Sequence, residues 1–80
     1  MTVKVAVANR FKQLCEVRKI KYNELATLSG VTPSTVYSMM DVRRRDLSII
    51  TIKKLCDGLE ITLGEFFSTG EFDELEQEIK

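Results

Sequence analysis

The chain has no histidine, and its two cysteines stand far apart at positions 15 and 56. With no histidine and no closely spaced cysteine pair, there is almost nothing from which to build a zinc site. The commonest general base is missing too, and neither an activated nucleophile nor a phosphate-cradling glycine loop can be found. An enzyme is therefore not expected, and neither is a cofactor. No apolar run approaches the roughly 18 to 20 residues that span a bilayer, and the first residues lack a signal-peptide pattern. We expect a cytoplasmic location and no membrane partner. Cys15 and Cys56 fall on apolar helical faces, which favours buried small hydrophobes in a reducing compartment over a disulfide. Eighty residues, 44% of them hydrophobic, suffice for one small domain with one core. The expected domain is 1–80, with a core over about 5–68 and an extension over 69–80. That leaves no space for a separate sensory unit, and no small-molecule effector is evident.

Net charge is also lacking, since twelve basic side chains balance twelve acidic ones. Their distribution is uneven. Residues 1–64 hold eleven basic and six acidic groups, a balance of +5, and residues 65–80 hold one and six, a balance of −5. Phosphate neutralisation by lysine and arginine supplies most nonspecific affinity for nucleic acid, so the basic body is compatible with such a partner although the whole chain is neutral.

The residues from Tyr22 to Met40 carry the most information. Leu25 and Leu28 mark an apolar stripe at helical spacing, and Ala26 is small enough for a second helix to approach closely. Gly30 falls where the first of these helices must stop, because glycine enters the left-handed turn conformation without steric cost. Thr32 is a side-chain cap for a new helix, and the chain's single proline, Pro33, suits its first position. Val36 and Met39 form the buried side of that helix, leaving Pro33, Ser34, Tyr37 and Ser38 outside.

This stretch resembles the helix-turn-helix of the lambda-repressor-like class of regulators, also called the xenobiotic-response-element family. Ala26, Gly30 and Val36 stand for its small residue, turn glycine and buried aliphatic. The likeness continues through Ser48 to Phe67, which resembles the family's closing helices, and covers residues 7 to 67. It implies an all-α fold: a lambda-repressor-like five-helix bundle, with a short extra C-terminal helix as an open addition. It also implies a sequence-specific DNA-binding transcriptional regulator, most simply a repressor. This would set its third helix, about 33–40, into the major groove of double-stranded DNA as a homodimer. A protein-interaction adaptor or antitoxin-like module on the same fold is the alternative.

Residue roles follow from the resemblance. Base-facing positions are Pro33, Ser34, Tyr37 and Ser38. They are modest readers, because no arginine or glutamine is present to make two-pronged bonds to guanine or adenine. Phosphate contacts are expected from Tyr22, Asn23, Thr35, Arg43, Arg44, Arg45 and Lys53. Two departures stand out. The family's paired arginine and glutamate become Cys15 and Met40, an exchange of two buried charges for two apolar groups. The usual Asn-Gly after the third helix becomes Asp41-Val42, so the loop should take another path.

The remaining elements read as follows. A first helix is expected over about Val5 to Lys19, although the alternation of Val3, Val5 and Val7 leaves a strand start open. A fourth begins after Ser48 and should bury Ile49, Ile52, Leu55, Cys56 and Leu59, with Gly58 as a local weakness. A fifth opens with the capping box of Thr62 and Glu65. From Glu71 onward, Phe72, Leu75 and Ile79 form a seam suited to a further helix. These residues and Phe66 and Phe67 either pack on the first helix of the same chain or join two subunits.

Overall fold

The computed structural model describes residues 1–44 and 46–79, and they form an all-helical bundle. Among the described residues six helices follow one another: α1 Val3–Arg18, α2 Tyr22–Ser29, α3 Pro33–Met40, α4 Ile49–Gly58, α5 Leu63–Phe66 and α6 Gly70–Asp73. No helix among the described residues is long and apolar enough to cross a membrane.

The alternating valines join α1 as helix, two residues ahead of the expected start. Thr2 explains the extension, because its hydroxyl accepts the Val5 N–H and caps the first turn. Ala6, Val7, Phe11 and Cys15 then lie on one buried face at helical spacing.

Three helices end in the same way. Lys19, Gly30 and Glu60 adopt left-handed backbone with φ of 57°, 68° and 58°. In each case the next residue reaches back: Ile20 N–H donates to Cys15 O, Val31 N–H to Ala26 O and Ile61 N–H to Cys56 O, at 3.0, 3.1 and 3.0 Å. Orphan carbonyls are satisfied, and the β-branched residue turns onto the core. Glycine was legible as such a stop. Lysine and glutamate were not, since a side chain in that conformation costs on the order of 1 kcal/mol.

The core gathers Val7, Phe11 and Cys15 of α1, Leu25 and Ala26 of α2, and Val36 and Met39 of α3. Ile52, Leu55 and Cys56 of α4 join them, with Leu59 and Phe66 beyond. Burial pushes both thiols up, that of Cys56 to about 11, so neither is primed as a nucleophile. Cys15 is buried and Met40 packs half-buried against the same core.

Two expectations about apolar faces are corrected. Ile49 is 58% exposed and Leu28 equally so, because each lies at the edge of its helix's stripe, beyond what the neighbouring helices cover. Gly58, read as a weakness, is a point of close approach between α2 and α4. A Cβ there would collide with Ser29 Oγ and lie 3.0 Å from Ser29 Cα and N.

The C-terminal segment folds back on its own chain. Phe66 stacks at 4.4 Å from Phe11, and Phe67 and Phe72 close the cluster at 4.9 and 5.9 Å from Phe66. Arg10 of α1 locks this end by donating to the carbonyls of Phe66 and Glu65 at 2.9 and 3.0 Å. Thr62 and Glu65 form the expected capping box, with both bonds at 3.0 Å, and the backbone donor of Thr62 holds the Glu65 carboxyl below its ordinary range. The further helix is one turn long. It ends at Asp73, so Leu75 is half-buried and Ile79, at 87% exposure, joins no seam. Glu76 pairs with the N-terminal ammonium at 3.2 Å.

Candidate nucleic-acid interface

Two eight-residue helices and a tight turn build the surface of interest. Ala26 and Val36, both essentially buried, let α2 and α3 meet, and Gly30 supplies the left-handed turn between them. Thr32 accepts the Thr35 N–H, and Pro33 occupies the first turn of α3. With Val36 and Met39 held inside, helical geometry turns Pro33, Ser34 and Tyr37 outward, and all three are exposed. Ser38 differs from expectation. It sits half-buried at the edge of α3, and its carbonyl accepts a bond from Lys4.

The hydroxyls of α3 are already ordered. Thr32 Oγ1 lies 3.0 Å from both Ser34 Oγ and Thr35 Oγ1, so a small network fixes the helix's first turn. Tyr37 is steadied by Tyr22, whose ring meets it edge-on at 5.7 Å and 74°. Burial also raises the pKa of the Tyr22 hydroxyl. Asn23 is exposed in the first turn of α2. That helix begins after Lys21, which offers no side-chain acceptor, while Glu24 accepts the Lys21 N–H at 3.2 Å.

After α3 the chain turns on Asp41. Its carboxylate accepts the Arg43 N–H at 3.0 Å and holds the Arg43 guanidinium through Nε and Nη2 at 3.0 and 3.1 Å. These bonds from Arg43 hold Asp41 down at about 2. Val42 does not take the left-handed conformation that a glycine there would invite. Arg44 is exposed, and Arg45 lies outside the described residues. Lys53, on α4, is paired with Asp57 one helical turn away.

Part of the candidate set, Tyr22, Ser34, Thr35, Tyr37, Ser38 and Arg44, gathers around two hollows. One, of about 230 Å³, is walled by Ser34, Thr35 and Ser38 of α3, Arg44 and Asp46 of the loop, Ser48, which caps α4, and Thr51 of α4, with Lys4 among its lining. The other, of about 400 Å³, brings Tyr22 and Tyr37 together with Lys12, Lys19 and Lys21. Asn23, Pro33, Arg43 and Lys53 line neither. The four lysines at positions 4, 12, 19 and 21 escaped the sequence reading. They are scattered along α1 and the short turn after it, and folding brings Lys4 to the first hollow and the other three to the second.

Comparison with known proteins agrees with this geometry. The model of the Cro/C1-type HTH DNA-binding domain matches residues 10–70, and the chain belongs to that family. It is a family of DNA-binding domains, not of enzymes. A solved structure, described as the crystal structure of the prophage Lp1 protein 11, is similar at a TM-score of 0.82 and 31% identity. The match covers 94% of this chain and 99% of that one. No curated protein matches the chain.

Proposed function

We propose that this DNA-binding domain is a sequence-specific transcriptional regulator that represses by occupying a promoter, with α3 set into the major groove. The observation that carries the reading is the division of α3. Val36 and Met39 are buried, while Pro33, Ser34 and Tyr37 are exposed on the outer side. Serine hydroxyls can bond several bases, and Pro33 and the tyrosine ring suit thymine methyl groups, so selectivity is moderate and partly read through DNA shape. Ser38 reaches the duplex from the helix edge. Tyr22, Asn23, Thr35, Arg43, Arg44, Arg45 and Lys53 serve the sugar-phosphate backbone.

One module of this size covers little DNA, so the working form is a homodimer on adjacent half-sites. Selection of duplexes from a random pool tests base preference and half-site spacing together. Titration of a selected duplex at two salt concentrations should show affinity falling steeply with salt, and Arg43→Ala should make that slope shallower. A flat response, or no binding, would sink the proposal in favour of a protein-binding adaptor.

A further inference from the structure

We infer that the hollow between α3, the arginine-bearing loop and the start of α4 seats one backbone phosphate of the duplex, with the Lys4 ammonium supplying charge from within. The inference rests on the DNA-binding reading above and adds to it a residue of α1. Lys4 is 4% exposed and is the one charged residue among the described buried positions. Its ammonium donates to two backbone carbonyls, Ser38 O at 3.1 Å and Asp46 O at 3.3 Å. Both acceptors are neutral. An ammonium carries three donors, and among the described residues neither a third acceptor nor an ion pair is found for it.

A buried cation without a counter-charge is costly, and folding has placed this one beside an open hollow rather than in the sealed core. Arg44 adds a second cation to the wall, and Ser34, Ser38, Ser48 and Thr51 add hydroxyls. Asp46 is the single acidic member. Its side chain is exposed and forms no ion pair with Lys4 among the described residues. A phosphate oxygen fits this donor set in charge and in hydrogen-bonding sense. The hollow shares Ser34 and Ser38 with α3, so a phosphate seated there lies where a strand flanking the major groove would pass. Lys4 would then join the exposed arginines in fixing how α3 is aimed.

The test is Lys4→Met, which keeps the apolar stem and removes the charge. With a duplex that the wild-type protein binds, the log–log dependence of affinity on salt should lose about 0.9 from its slope, the share of one phosphate. Affinity at low salt should fall about tenfold, as for one bond to a charged group. An unchanged slope in a variant that circular dichroism shows to be folded would overturn the inference. Should the variant not fold, the wild-type protein supplies a second measurement, the NMR signal of the Lys4 ammonium. It should move when the duplex is added, and a stationary signal in the saturated complex would overturn the inference. So would a shift caused by millimolar inorganic phosphate but not by duplex. A wild-type protein that binds no duplex defeats the DNA-binding reading itself, which separates the two failures.

Discussion

Replacing Gly58 with alanine adds one methyl group where the end of α4 meets the end of α2, and two opposed effects decide the result. Alanine is the better helix former, by at most about 1 kcal/mol, and less at the last residue of a helix. Against this, the new Cβ would collide with Ser29 Oγ and stand 3.0 Å from the Cα and N of Ser29. The hydroxyl can rotate aside. The backbone atoms can move only if α2 and α4 separate, which loosens the core between Leu25, Leu55 and Leu59. Overpacking of this kind costs about 1–3 kcal/mol, so a net loss near 1 kcal/mol is expected. For a domain of this size that lowers the thermal midpoint by about 4–8 °C.

Ser29 sharpens the expectation, because its Oγ is buried and has no hydrogen-bond partner among the described residues. Ser29→Ala should therefore be neutral or stabilising by up to about 1 kcal/mol, since it removes an unsatisfied hydroxyl. In that background Gly58→Ala should cost less, with a coupling of about 0.5 kcal/mol or more between the two positions. Urea unfolding followed by circular dichroism measures all four proteins of the cycle. A Gly58→Ala protein as stable as the wild type, or additive effects in the double variant, would refute the claim that glycine is there for close approach.

Other consequences are equally open to measurement. Glu60→Gly relieves a left-handed side-chain conformation. It should stabilise the fold by about 0.5 kcal/mol after the flexibility that glycine adds to the unfolded chain is subtracted, and a lower urea midpoint would contradict this. Asp41→Asn removes the carboxylate that holds the Arg43 guanidinium. Duplex affinity at low salt should rise several-fold, whereas unchanged binding would mean that Arg43 does not touch DNA. Because Asp41 ionises at about 2 in the fold, its contribution is fully present above the ordinary carboxylate range and fades only as pH falls toward 2. Cys56 behaves oppositely: its folded thiol is pushed up from 9.0 to about 11, so the neutral form is preferred inside. Stability should be full below pH 9 and decline as pH rises through 11, a loss that Cys56→Ala should lack.

Several features of this protein were written in short stretches of residues. The helices at 22–29 and 33–40 need only a glycine stop, a threonine cap, one proline and an apolar stripe, all within a few positions of one another. The capping box at Thr62 is equally local, and so is the outward face of Pro33, Ser34 and Tyr37. For the family, a spaced pattern of small and aliphatic residues was enough. The left-handed lysine and glutamate at 19 and 60 were not visible, because nothing in their types announces the conformation. Their neighbours Ile20 and Ile61, drawn onto the core, impose it.

Local order alone determined an all-helical chain with a helix-turn-helix and a basic body, since capping, turn geometry and periodic burial act over a turn or two. Tertiary structure decided the rest. It buried Lys4 beneath carbonyls 34 and 42 residues away, joined Arg10 to the end of α5 and gave Gly58 its purpose against Ser29. It also turned the aromatic tail onto α1. The physical reason is that burial, counter-charge and close approach belong to pairs of surfaces, and which surfaces meet is settled only when the helices pack.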